Sequence, residues 1–122
     1  MPIAAAFMLG EDVGATAITF GLPALLTFLI GLLLQTYSRD AEEELRDREA
    51  FAAVGFTWII VSLLASLPFL LRGVLTNPVD AFFESMSGFT STAASVITNL
   101  DDRSAVPGSI ILWRAEMQWL GG

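Results

Sequence analysis

The 122-residue sequence contains neither cysteine nor histidine. Without cysteine the chain forms no disulfide framework and offers no thiolate for catalysis or metal binding. Without histidine it lacks the commonest general base and metal ligand of proteins. Glu84 and Glu116 are candidates for a carboxylate pair, but they fall on separate predicted segments, and we expect structural or electrostatic roles for both. With no arrangement of nucleophile and base, the sequence favours a protein that is not an enzyme and uses no cofactor.

Lysine is also absent, and the basic residues are six arginines against 13 acidic residues, for a net charge of −7. A nucleic-acid partner would favour a basic surface, so we expect no such partner. Only 16% of the residues are charged, whereas about a quarter are charged in a typical soluble domain.

Long apolar runs take the place of the missing charge. Hydrophobic residues make up 54% of the chain, and no charged residue occurs from 13 to 38 or from 50 to 71. Each run exceeds the roughly 20 residues that cross a bilayer core of about 30 Å. The alternative is a buried core helix of a soluble protein, but so short a chain leaves little to cover two such runs. We therefore predict membrane-spanning helices over Val13–Tyr37 and Phe51–Leu71, in contact with a lipid bilayer.

Residues 38–50 form a charged segment between the two predicted spans. Pairs of opposite charge occur there at helical spacing, Glu42–Arg46 and Glu44–Arg48, so we interpret the segment as a solvated loop or a short helical turn. Docking of a partner is the alternative. Three arginines lie in this segment, against Arg72 and Arg103 on the far side of the second span. Because short loops rich in arginine stay in the cytoplasm, we predict a cytoplasmic loop here.

A short helix is predicted after the second span. Asn77 suits a helix cap, and Pro78 suits the first helical position. The helix has room for about 10–12 residues, roughly 15–18 Å, which is about half the thickness of a bilayer. An apolar stripe follows its surface: Phe82, Phe83, Met86 and Phe89.

Small hydroxyl-bearing residues follow this short helix, in the run Thr90–Ser95. Backbone at membrane depth is irregular only where it is buried or lines a polar cavity. A cation filter is such a cavity, because carbonyl oxygens replace the water shell of the ion. The layout predicts a re-entrant pore loop, with an ordinary Ser/Thr-rich turn as the alternative. A further apolar segment, 109–122, has only 14 residues and is too short to span a bilayer.

Two separated motifs, DAFFESMSGFTSTAAS and LWRAEMQWLGG, resemble the first pore loop and the following helix of the Trk/Ktr family of bacterial and archaeal potassium-uptake proteins. The apolar segment that starts with REAF is similar to the first membrane helix of that family. The resemblance covers about residues 48–122. It implies an all-α membrane protein with two transmembrane helices, one re-entrant pore helix with a filter loop, and the start of a third transmembrane helix.

The resemblance divides the chain into an N-terminal peripheral transmembrane helix (1–37), the charged cytoplasmic loop (38–50) and a first membrane–pore loop–membrane unit (51–122) that is truncated in its second span. Family members carry four such units in one chain, and the four loops converge on one filter that faces outside. The resemblance thus implies one part of a potassium-uptake transporter of the cell membrane, which does not conduct alone. The implied partners are the remaining pore units and a cytosolic nucleotide-binding regulatory subunit.

Site residues follow from their positions in the family motifs. Ala93 stands where the family usually has glycine, which accepts a positive φ without steric cost. Replacement of this glycine by serine in plant relatives accompanies sodium preference, so potassium is the expected ion and sodium the alternative. For Glu84 and Arg114 we predict polar surroundings, because an unpartnered charge at membrane depth is costly. The assigned residues are Thr90, Ser91, Thr92 and Ala93 on the filter strand; Phe82, Glu84, Ser87 and Gly88 on the pore helix; and Trp113, Arg114, Gln118, Trp119, Gly121 and Gly122 at the start of the second span.

Three arrangements are open to a chain with one pore unit. The first is a piece of a transporter, from a truncated or split gene. The second is a channel of four copies, which is disfavoured because each copy would end inside the bilayer. The third is a small non-conducting membrane protein that interacts with or regulates a full-length transporter, or a relic of a disrupted gene. Residues 1–8 look like the tail of another membrane helix and lack the basic n-region of a signal peptide.

Overall fold

The computed structural model describes residues 2–38, 47–98 and 105–122. Within these ranges the chain is helical and contains no strand, which confirms the all-α prediction. The helices are α1 (Pro2–Leu9), α2 (Val13–Tyr37), α3 (Asp47–Leu71), α4 (Pro78–Phe89) and α5 (Gly108–Gly121).

The two long helices correspond to the predicted membrane spans. α2 and α3 have 25 residues each, about 37 Å at 1.5 Å per residue, and both are long and apolar enough to cross a membrane. α2 has the predicted bounds, whereas α3 begins at Asp47, earlier than the predicted start at Phe51. Asp47 and Glu49 occupy its first turn, where negative charge favours a helix, so the end of the charged segment is helical.

Residues 39–46 lie outside the described residues. The charge pairs predicted there, Glu42–Arg46 and Glu44–Arg48, and the cytoplasmic location of the loop therefore stay predictions. The same holds for the side of the bilayer that each helix end faces.

The starts of α2 and α4 are fixed by side-chain caps. Asp12 Oδ1 accepts the N–H of Gly14 at 2.9 Å, which satisfies a backbone donor that has no partner inside the helix. Asn77 Oδ1 does the same for Val79 at 3.0 Å, with Pro78 at the first position of α4. The cap predicted at Asn77 is confirmed.

The core lies where α4 and α5 pack against the last turns of α3. Phe69, Ile110 and Met117 are fully buried there. On α4 the buried face consists mainly of small residues; of the predicted apolar stripe Phe89 is buried, Phe82 and Met86 are half-buried, and Phe83 is 46% exposed. Small residues allow close approach of helix backbones in a membrane protein. The clustered core residues are Phe20, Ala65, Phe69, Ala81, Phe89, Val106, Ile110 and Met117.

Candidate functional site

The chain folds back on α4 at the start of residues 90–96, here named the α4 loop. The N–H of Ser91 donates to the carbonyl of Gly88, and the N–H of Thr92 to the carbonyl of Ser87, both at 3.1 Å. This pair of bonds forms a Schellman motif, in which the residue after the cap has a left-handed conformation and is usually glycine. Ser91 has this conformation, with φ 52°. The N–H groups at the start of the loop therefore point back towards α4.

Ala93 is the second residue of the α4 loop with a positive φ, at 60°. A left-handed conformation costs alanine about 1–2 kcal/mol, so the surrounding contacts must hold it in place. Ala93 thus keeps a backbone conformation that glycine would adopt freely.

The carbonyl oxygens of Thr90–Ala93 accept no hydrogen bond from any residue that the structure describes. These residues are exposed, and the hydroxyl oxygens of Thr90 and Thr92 lie 2.8 Å apart. The described part of the chain contains no group of three or more acidic residues that could hold a metal ion. The oxygen atoms of this stretch are neutral and lie beside the C-terminal, negative end of a helix.

The carboxylate of Glu84, which is fully buried, anchors the far end of the α4 loop. Both of its oxygens accept the Ser95 hydroxyl at 3.0 Å, and Oε2 also accepts the N–H of Val96 at 3.0 Å. Ser87 supports the same stretch, since its hydroxyl donates to the carbonyl of Ala94 at 2.6 Å. The prediction that Glu84 bonds to hydroxyl and backbone groups is confirmed. Ser95 and Val96 were not assigned from the sequence, although the hydroxyl of Ser95 was the available signal.

Arg114, on α5, completes the surroundings of Glu84. Its Nε donates to Glu84 Oε1 at 2.5 Å, and 18% of the Arg114 side chain is exposed against 0% for Glu84. A buried carboxylate is costly without a charged partner, and Arg114 provides one. Glu84 therefore pairs with Arg114 and not with Glu116, and the polar surroundings predicted for Arg114 are confirmed.

The two glycines at the end of α5 lie against the end of α4. A Cβ atom on Gly121 would be 1.9 Å from the carbonyl oxygen of Phe89, and one on Gly122 would be 2.2 Å from the hydroxyl of Ser91. Gln118 contributes its backbone carbonyl, 3.4 Å from the same Ser91 hydroxyl. Because the backbone of Phe89 has little room to move, only glycine fits at Gly121.

Trp113 joins α5 to both long helices. Its indole N–H donates to the carbonyl of Ala65 on α3 at 3.1 Å. Its ring meets Phe20 of α2 edge to face, with ring centroids 5.6 Å apart, a favourable geometry for aromatic pairs. Trp113 thus holds α5 against the predicted spans.

The remaining residues assigned from the resemblance have different surroundings. Gly88 lies close to α5, because a Cβ atom there would be 3.2 Å from the Cβ of Met117. Phe82 is half-buried. Trp119 is 81% exposed.

A second, partly buried carboxylate, which sequence reasoning missed, lies at the start of α5. Glu11, between α1 and α2, accepts the N–H of Ser109 at 3.1 Å and its hydroxyl at 2.6 Å. Arg72, just after α3, donates to Glu11 at 3.1 Å and to the hydroxyl of Thr16 at 2.7 Å. The available signal was the presence of isolated charges beside apolar runs, since such charges need partners.

The electrostatics of Glu11 follow from these contacts. Burial raises the pKa of its carboxyl, but the hydrogen bonds from Ser109 and Gly108 and the charge of Arg72 outweigh burial and hold the pKa below its usual range. Hydrogen bonds to the charged form have this effect because they stabilise the carboxylate relative to the acid.

Comparison with known proteins identifies the family of the chain. The family described as "TrkH: Cation transport protein" matches residues 19–122. The chain belongs to the TrkH family. This membership confirms the Trk/Ktr resemblance, and with the two apolar helices it identifies a membrane protein.

Several curated TrkH-family proteins are similar to the chain. The Trk system potassium uptake protein TrkH of Halomonas elongata is 42% identical over 93 residues, which cover 75% of this chain and 19% of the relative. That of Vibrio parahaemolyticus is 36% identical over 110 residues, with 84% and 21% covered. An uncharacterized cation transporter of Methanocaldococcus jannaschii is 31% identical over 107 residues, with 88% and 22% covered. The chain spans about a fifth of the length of these relatives, and no solved structure matches it.

Proposed function

We propose that this chain supplies one pore helix, α4, and one filter strand, Thr90–Ala93, to a potassium-uptake transporter. The carbonyl oxygens of these exposed residues carry the proposal, because they accept no hydrogen bond within the described chain. Such oxygens replace the water shell of a monovalent cation. Relatives named for potassium uptake support potassium as the transported ion.

The length of α4 supports a re-entrant arrangement. Its 12 residues extend about 18 Å, too short to cross a bilayer core of about 30 Å. The loop that follows is irregular backbone, which membrane depth tolerates only where protein buries it or a polar cavity receives it. Glu84 and Arg114 belong to the protein that buries one side of this loop. The polar cavity on its other side is the ion pathway.

One loop forms one side of a filter, so the chain does not conduct alone. The remaining sides come from the other pore units of the transporter, in agreement with relatives about five times as long. The transporter lies in the cell membrane with segment 38–50 in the cytoplasm and the α4 loop towards the outside, as the arginine count favours. The cytosolic nucleotide-binding regulatory subunit stays a prediction, since no described residue bears on it.

Ala93 bears on ion preference. Its positive φ keeps the strand in the conformation that glycine would take, at a cost of about 1–2 kcal/mol. A strained strand is easier to distort. We therefore expect a lower selectivity for potassium over sodium than in a filter with glycine at this position.

A chimeric transporter tests the proposal. The segment of the Halomonas elongata relative that aligns with this chain is replaced by the residues of this chain, and potassium uptake is measured in bacteria without potassium-uptake systems of their own. We expect uptake, and we expect Ala93→Val to abolish it, because a β-branched residue is strongly disfavoured at positive φ.

Ala94→Val is the matched control, since Ala94 is the next exposed residue and does not have a positive φ. It should retain most of the uptake. The proposal is wrong if the chimera reaches the membrane without taking up potassium, as a non-conducting regulator would. It is also wrong if Ala93→Val and Ala94→Val have equal uptake.

A further inference from the structure

α5 lacks a cap of its own. The residue at its N-cap position is Pro107, which makes no side-chain hydrogen bond to the first turn. The first N–H groups of a helix have no partner inside the helix. Glu11 supplies the missing acceptor from 98 residues away, by accepting the N–H of Ser109 at 3.1 Å and its hydroxyl at 2.6 Å. A carboxylate at a helix N-terminus also interacts favourably with the helix dipole.

Glu11 is itself held in place by Arg72, just after α3, which also bonds to α2. Arg72 Nη2 lies 3.1 Å from its Oε2 and donates to the hydroxyl of Thr16 on α2 at 2.7 Å. Both ionic side chains are mostly buried, with 16% of Glu11 and 15% of Arg72 exposed. The start of α5 is therefore tied to the turn before α2 and to the end of α3.

α5 also connects Glu11 and Arg72 with the α4 loop. Five residues after Ser109, on the same helix, Arg114 donates to Glu84. Glu84 in turn accepts the hydroxyl of Ser95 and the N–H of Val96. A change in the position of the first turns of α5 thus moves the guanidinium that fixes Glu84, and with it the end of the α4 loop.

We propose that Glu11 is a positioning residue for the α4 loop: it caps α5 from outside the pore unit and thereby holds Arg114 against Glu84. The peripheral segment ahead of α2 then sets the geometry of the ion-binding strand without touching it. The role of that strand as a filter rests on the proposed function above, whereas the coupling of Glu11 to the α4 loop does not.

Hydrogen–deuterium exchange on the full chain in lipid nanodiscs tests the coupling without any measurement of transport. Glu11→Gln keeps the size of the side chain and weakens the cap. We expect about tenfold faster exchange at Ser109–Ile111, in line with the loss of a helix cap, and severalfold faster exchange at Val96, whose N–H donates to Glu84. Asp12→Asn is the matched control, because Asp12 caps only α2, and it should leave both sites unchanged.

A local cap provides the rescue that separates this role from general destabilisation. Pro107→Asp, added to Glu11→Gln, places a carboxylate at the N-cap position of α5 and should restore slow exchange at both sites. Ser109→Ala, which removes only the hydroxyl donor, should give a smaller change in the same direction. The proposal is overturned if Glu11→Gln leaves exchange at Val96 unchanged, or if Pro107→Asp restores slow exchange at the start of α5 and not at Val96.

Discussion

The two long helices and the α4–α5 region satisfy their polar groups in different ways. On α2 and α3, most hydroxyls bond within their own helix, as Thr19 does to Ala15 and Thr57 to Ala53, each at 2.8 Å. In the α4–α5 region, Glu84 bonds to Ser95 and to Arg114 across 11 and 30 residues. The long helices thus depend on local bonds and a lipid surface, while the α4 loop depends on contacts between distant segments.

The contrast explains where the chain tolerates change. Large apolar residues are exposed along both long helices, for example Phe28 at 63% and Phe56 at 64%, and a bilayer is a good solvent for them. Around the α4 loop, charged and hydroxyl groups are buried in matched sets, and removal of one member leaves the others unpaired. We therefore expect sensitivity to mutation to concentrate where α4 meets α5.

The largest effect should come from Glu84→Ala. It leaves the guanidinium of Arg114 and the N–H of Val96 without their acceptor, and loss of one member of a buried ion pair costs about 3–5 kcal/mol. The measurement is the denaturation midpoint of the chain in detergent. Asp80→Ala, which changes an acid in the first turn of the same helix, should cost about 1 kcal/mol or less.

A double variant tests the pairing directly. Glu84→Met with Arg114→Met removes both charges and should be less destabilising than the sum of the two single changes. Additive effects would contradict a direct pair.

Gly121→Ala should have the next largest effect. The added Cβ would lie 1.9 Å from the carbonyl oxygen of Phe89, and overpacking of this kind costs about 1–3 kcal/mol. Gly31→Ala is the matched change on α2, where nothing lies within 4 Å of the added atom. It should be neutral or stabilising, because glycine weakens a helix by roughly 0.5–1 kcal/mol relative to alanine. Equal destabilisation by the two changes in the same unfolding assay would argue against the close contact between α4 and α5.

Ala93→Gly should stabilise the chain by about 1 kcal/mol, since it removes the cost of a left-handed alanine. In the chimera it should also increase the ratio of potassium to sodium uptake. Ala94→Gly provides the comparison, because its backbone needs no positive φ. A loss of stability in Ala93→Gly, measured by thermal unfolding, would show that the left-handed conformation is not adopted.

The smallest effect is the pH dependence from Glu11. The pKa of the Glu11 carboxyl is lower in the folded chain, so the unfolded chain binds more protons in acid. The ionised carboxylate therefore stabilises the fold fully above the usual pKa of 4.5. This stabilisation is lost as the pH falls through the folded pKa. The charged groups next to Glu11 are Arg72 and Asp12. α1 and α2 contain no charged residue, and the charged residues of α5 are Arg114 and Glu116.

The comparison of unfolding midpoints at neutral and acidic pH should thus give a smaller difference for Glu11→Gln than for the unchanged chain. We expect the change in unfolding free energy between the two pH values to differ between Glu11→Gln and the unchanged chain by about 1 kcal/mol or less, as for a partly exposed ion pair. Identical pH profiles would contradict the ionised, bonded state of Glu11.

The sequence predicts the long helices well, because hydropathy and length alone determine a membrane span. α2 has the predicted bounds, and the start of α4 follows from the cap at Asn77. The polar partners of Glu84 could be expected from the cost of a buried charge, but not their identity, since Ser95 and Arg114 reach it through tertiary packing. Glu11 was not assigned at all, because nothing local relates it to Ser109.

The most direct test of the account is the location of the ion. In the active chimera, soaked with rubidium or thallium in place of potassium, the anomalous signal in a crystal structure marks the bound cation. The account predicts density beside the carbonyl oxygens of Thr90–Ala93, with Glu84 joined to Arg114 behind the strand. Density elsewhere in an active chimera, with these carbonyl oxygens turned away from the ion, would contradict it.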